Sequence, residues 1–162
     1  MDDLPLSDAL KYAEADLSSV IREDAVYPEA AMVTAKGEQY WRESAAYHNS
    51  FFSSLGISKQ HHFKIWNAVS HAFENAFLRG NKAARNKPIV VRVYEGLQGK
   101  VIRIEDQGDG FDYVAAVRNF RLSGRSSGSG KGFKVLNDSP VLAGYEGKGN
   151  IINIVVMNKD LK

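Results

Sequence analysis

Three groups of residues have types and spacing that could carry chemistry. Asn67, His71, Asn75 and Arg79 recur every four residues inside the most strongly periodic helical stretch of the chain, so they stack on one helix face. A polar stripe beside an apolar one is ordinarily a solvent face; the functional alternative is a cleft wall presenting an amide and an imidazole to a ligand or a metal. The second group is Glu105-Asp106-Gln107-Gly108-Asp109-Gly110-Phe111. Strand alternation puts Asp106 on the same side as Ile102 and Ile104, where a core belongs, and a carboxylate there needs a donor partner. The segment is also good turn chemistry, but its alternate glycines would let a flat ligand approach the backbone. The third group is Gly124 to Phe133 (GRSSGSGKGF), a glycine-rich stretch before an expected helix start, with Lys131 as a point charge. Free N–H groups at such a start suit phosphate, although a Gly/Ser run is more often a linker. It is neither a phosphate loop of the G-x-x-x-x-G-K-[ST] form, since residue 125 is Arg and residue 132 is Gly, nor a dinucleotide fingerprint.

The elements that must position these residues follow from periodicity. Leu10, Ala13, Leu17, Val20 and Ile21 predict a helix from Ser7 to about residue 25, and residues 25–35 read as a loop or a short edge strand. Tyr40, Trp41, Tyr47, Phe51 and Phe52 share a broad face over 38–55, which Gly56 stops. Ser58 caps a helix that runs to Arg79 and ends at Gly80. Beyond Pro88 the pattern becomes strands: 89–94 and 101–105 as one hairpin, 141–145 and 151–157 as another turning at Glu146-Gly147-Lys148-Gly149. Short helices are expected over 113–120 and from Gly132. Helices on antiparallel strand pairs make an α+β fold, a two-layer sandwich with a mixed sheet of four or five strands and helices on one face.

Composition narrows the function classes. The chain has 162 residues with a formal charge of +2 and no dense basic run, which argues against nucleic acid. It has no cysteine, so thiol nucleophiles and Cys-based metal sites are excluded. His48, His61, His62 and His71 lack the spacing of a metal site. No apolar run reaches the roughly 18–20 residues of a membrane span, and the acidic first ten residues are unlike a secretory signal; a cytoplasmic protein is the expectation.

The order of the three groups resembles the histidine-kinase-like ATPase superfamily (the GHKL or Bergerat fold), and within it the small ATP-binding domains of the anti-sigma-factor serine kinase type. The likeness covers roughly 64–158. Residues 68–81 (AVSHAFENAFLRGN) resemble the asparagine box E-A-x-x-N-A-x-x-H-G-N, residues 106–112 (DQGDGFD) the box D-x-G-x-G-F-D, and residues 128–133 (GSGKGF) the box G-x-G-x-G-[LF]. The resemblance implies a domain over 61–162 preceded by a helical extension over 1–60, part of which would be the family's first strand and helix. It implies ATP or ADP with Mg²⁺ as ligands. Asn75 would hold the metal, Asp106 would accept from the adenine amino group, and Gly108 and Gly110 would admit adenine and ribose. Gly128, Gly130, Lys131 and Gly132 would line the phosphates under a lid over 123–129, and Arg79, standing where the family has His, would touch a phosphate or solvent. His71 occupies the place of the family's general-base carboxylate, and Glu74 points about 100° away around the helix. The expectation is therefore a nucleotide-binding regulatory domain of bacterial partner-switching signalling with weak or lost catalysis. Its partner would be a protein such as a sigma factor or a small antagonist domain, and a second copy of the chain is a further candidate. The alternatives are an active serine/threonine kinase or ATPase using His71 as base, and an interaction module that binds no nucleotide.

Overall fold

The computed structural model of the protein describes residues 3–33, 35–37, 39–115 and 139–162. Its elements run α1 (Leu6–Ala13), β1 (Val20–Val26), β2 (Glu29–Val33), β3 (Gln39–Arg42), α2 (Ala45–Ser54), α3 (Phe63–Asn75) continued by a π-helical turn (Ala76–Gly80), β4 (Ile89–Glu95), β5 (Gly99–Glu105), β6 (Leu142–Glu146), β7 (Ile151–Met157) and a closing 3₁₀ turn (Asn158–Leu161). The architecture is α+β. Among the described residues, five strands form one sheet in the order β1-β4-β5-β7-β6, and β2 and β3 form a separate hairpin. Both expected hairpins are present, β4 with β5 and β6 with β7.

The sheet corrects two expectations. Every ladder among the described strands is antiparallel, so the sheet is not mixed. Nor do the helices lie on one face. Ile102, Ile104, Ile152 and Ile154 turn toward α2 and α3, in one core with Phe51, Val69, Phe73 and Phe77. Their neighbours Val101 and Val155 point the other way, as strand alternation requires, and join Tyr94 in a second core covered by Leu4, Ala9, Leu10 and Ala13 of the α1 segment. The central strands are apolar on both sides, and each side takes its own helical cover.

The first sixty residues are not a helical extension. Three strands lie within them, β1 pairs along its length with β4, and Val26, Phe51, Phe52, Leu55 and Ile57 belong to the main core. The helix predicted over 7–25 ends at Ala13 because Glu14 turns into the left-handed region and Asp16 gathers the Ser18 N–H and the Ser18 and Ser19 hydroxyls into a turn. The β-branched Val20 and Ile21 then enter β1. The helix predicted over 38–55 divides into β3 and α2, with the Ser44 hydroxyl accepting from the Tyr47 N–H at the α2 N-cap. Ser58 caps an earlier turn, accepting from the His61 N–H, and the long helix begins at Phe63. Among the described residues no helix is long and apolar enough to cross a membrane.

Candidate functional site

The end of α3 and the loop after β5 meet through close backbone contact. A Cβ on Gly80 would sit 2.1 Å from the Asp106 carboxyl carbon, and one on Gly108 would sit 2.1 Å from the Gly80 carbonyl oxygen. Only residues without a side chain permit this approach. The buried amide of Asn81 locks it. Its Nδ2 donates to the Lys87 and Pro88 carbonyls at 3.2 and 3.0 Å, while its Oδ1 accepts from the Gln107 N–H at 2.6 Å. On the other side the Asp106 N–H donates to the Asn150 carbonyl, and the Phe111 N–H to the Lys148 carbonyl, both at 2.9 Å.

Between these elements lies a cavity of about 570 Å³. Asn75 and Arg79 line it from α3 and the π turn, Asp106 and Gly110 from the loop after β5, and Tyr145 and Ile152 from the β6–β7 hairpin. The volume falls within the range of small-molecule sites. The expected phase of Asp106 is observed: it reaches the cavity in company with Ile104.

Asn67 and His71 do not line the cavity. The reason is helical drift. Each step of four residues advances about 400° around the axis, so the stripe rotates by about 40° per step. Asn75 and Arg79 rotate onto the cavity, and the two earlier members fall behind. The last step, from Asn75 to Arg79, runs through the π turn, whose extra residue per turn offsets this rotation and keeps Arg79 beside Asn75, and such turns are frequent at functional positions. Gly108 also departs from its expected role, since it packs on Gly80 rather than on the cavity. Gly128, Gly130, Lys131 and Gly132, the lid over 123–129 and the helix start at 132 lie outside the described residues; of the helix expected over 113–120, residues 113–115 are described and helical.

The electrostatics divide the cavity. Asp106 Oδ1 accepts from the Gly108 N–H at 2.8 Å. Burial pushes this carboxyl above its ordinary value, the Gly108 bond and Lys148 opposing the shift. Oδ2 has no hydrogen-bond donor among the described residues, so it can accept from a ligand. The Tyr145 phenol, facing Asp106 and Arg79, is pushed up to about 12, chiefly by burial and secondarily by the Asp106 charge. Tyr145 stands edge-on to Phe111, with ring centroids 5.0 Å apart, and lies 5.6 Å from Tyr113. Arg79 and Lys82 line the cavity and form no salt bridge among the described residues. The lining offers two carboxylates (Asp106 and Asp109), an aromatic wall, two amides (Asn75 and Asn150) and two cations. No group of three or more described His, Asp or Glu side chains could hold a metal by itself.

The sequence reading passed over Tyr145 and Lys82; Phe111, Gly80 and Asn81 stood inside the matched boxes but were given no role of their own. Lys82 and Ala83 are both left-handed, with φ of 53° and 58°. That conformation costs an L-residue about 1–2 kcal/mol, and such outliers gather at functional sites. Lys82→Gly is expected to raise stability by about 0.5–1 kcal/mol, read as a higher urea midpoint at unchanged slope; a lower midpoint would show that the lysine stabilises the turn. For Gly80 and Asn81 the signal was their place at the end of the asparagine-box match, where Gly80 also reads as a helix stop.

Comparisons of the chain with protein-family models, with curated proteins and with solved structures gave no match.

Proposed function

We propose that the protein is an adenine-nucleotide-binding regulatory domain, with the fold and partner-switching role of the anti-sigma-factor kinase type and with catalysis weak or lost. The observation that carries the reading is convergence. Asn75, Arg79, Asp106 and Gly110 come from two chain segments that the sequence pattern singled out separately, and they line one cavity. Asp106 Oδ2 would accept from the exocyclic amino group of adenine, a role that its half-buried place and single backbone donor leave open. Arg79 and Lys82 supply positive charge for phosphates. Mg²⁺ usually keeps several waters and takes one or two protein ligands plus substrate phosphates, and the Asn75 amide oxygen fits that sparse demand. The metal would neutralise phosphate charge.

The absence of His71 from the cavity lining favours binding over turnover by that imidazole. Titration calorimetry with ATP and ADP, each with and without Mg²⁺, tests the proposal. Binding is expected, with His71→Ala within twofold of wild type. No heat and no thermal shift at millimolar nucleotide would remove the reading. Phosphate release that disappears in His71→Ala would instead establish the enzyme alternative. A sigma factor, a small antagonist domain or a second copy remains the proposed class of partner.

A further inference from the structure

Tyr145 belongs to two structures at once. Its ring lines the cavity, and its backbone carries the first described segment of the chain. The Leu4 N–H donates to the Tyr145 carbonyl at 3.0 Å, and Asp3 pairs with Tyr145 in a parallel bridge. Asp3 Oδ1 also accepts from the Tyr113 hydroxyl at 2.8 Å, and the Tyr113 ring lies against both Tyr145 and Phe111. Residues 3–13 thus form an arm whose tip is fastened to the cavity's aromatic wall.

The rest of the arm is fastened to the opposite sheet face. Leu4, Ala9, Leu10 and Ala13 pack on Tyr94, Val101 and Val155. A polar cluster fixes the point where the arm crosses β6. Asn153 Nδ2, fully buried, donates to the Leu4 carbonyl at 2.8 Å; Glu146 Oε1 accepts from the Leu6 N–H; and Arg103 bridges to Glu146 Oε2 at 2.8 Å. Glu146 and Asn153 point to the arm side, whereas their neighbours Tyr145 and Ile152 point to the cavity. A shift of the arm must therefore move the backbone that aims the Tyr145 ring.

We propose that the arm is a positioning element of the cavity: docking of residues 3–13 sets the Tyr145–Phe111 wall, and ligand binding and arm docking are coupled. The proposal goes beyond nucleotide binding, because the coupling is a property of the arm and the wall, and nucleotide serves only as its probe. Coupling is reciprocal, so release of the arm weakens the ligand by the factor by which the ligand tightens the arm.

The test uses the full chain, with Leu10→Ala to loosen the arm and Asp3→Ala to remove only its clasp. Neither residue lines the cavity. In the ligand-free protein, the Tyr145 and Phe111 ring resonances are expected to shift in both variants, with those of Phe51 and Phe73 in the other core unchanged. With ADP, Leu10→Ala is expected to bind about fivefold or more weakly, and saturating ADP to slow hydrogen exchange at the Leu4 and Leu6 amides of wild type by a similar factor. Unchanged Tyr145 signals in both variants overturn the proposal. So does arm exchange that is indifferent to bound ADP. If ADP does not bind wild type, the nucleotide reading falls, and the ring signals still decide the coupling. If Leu10→Ala unfolds, the Asp3→Ala spectra alone decide it.

Discussion

Asp106→Asn is expected to remove the response to adenine nucleotide while raising the melting temperature of the ligand-free protein. The two effects share a cause. Burial holds the Asp106 carboxyl above its ordinary value, so the folded state disfavours the charge it carries at neutral pH. The linkage sign follows. Below the ordinary value of 3.8 both folded and unfolded states are protonated and the penalty vanishes; as pH rises above it the unfolded state ionises first, and the folded protein loses relative stability until its own carboxyl ionises. The amide variant keeps an acceptor for the Gly108 N–H and carries no charge. Partial exposure screens the gain to about 1 kcal/mol or less, or about 2–4 °C at this size. Replacing a charge-assisted acceptor should weaken an amino-bearing ligand about 10- to 100-fold. Thermal scans from pH 3.5 to 8 with and without ADP check both halves. The stability gap should close at the acid end, and a variant that melts lower at pH 7, or that shifts as far as wild type at the same ADP concentration, contradicts the account.

Gly110→Ala is expected to be more damaging than its size suggests. Gly110 has φ of 80°, and a Cβ there would lie 1.9 Å from the Lys148 carbonyl oxygen. That oxygen is the acceptor of the Phe111 N–H, so the obstacle is the backbone bond joining the post-β5 loop to the β6–β7 turn. Left-handed strain and overpacking together cost about 2–4 kcal/mol. Separating the two loops would also open the cavity. Gly147→Ala supplies the control, since Gly147 has φ of 64° with nothing within 4 Å of the added atom. It should lose only about 1–2 kcal/mol. Equal losses in chemical denaturation would mean that conformation alone, and not the junction, sets the cost.

What the sequence made legible was local. The hairpins of β4–β5 and β6–β7 follow from β-branched runs flanking glycine turns, and the side of Asp106 follows from Ile102 and Ile104. Where it failed, a distant contact overrode a local pattern. Leu17, Val20 and Ile21 continue a helical period, yet pairing with β4 some seventy residues later makes Val20 and Ile21 a strand. Asn81 closes the asparagine-box match in sequence, and only its bonds to Pro88 and Gln107 reveal it as the joint of the cavity. His71 lies off the described cavity lining for a different reason: a spacing of four is treated as one face, but the small rotation per step becomes decisive where a wall ends.

Apolar side chains on both sides of β5 and β7 have a consequence for folding fidelity. Where one side of a strand is polar, slipping by one residue exposes the core and is heavily penalised. Here Val101 and Ile102, or Ile154 and Val155, could trade places at little hydrophobic cost. The discrimination must come from the polar trio of Arg103, Glu146 and Asn153, which finds its partners in one alignment alone. Asn153→Val would then leave the protein folded but heterogeneous, with doubled amide signals along β7, and a single sharp set would show that alignment is specified elsewhere.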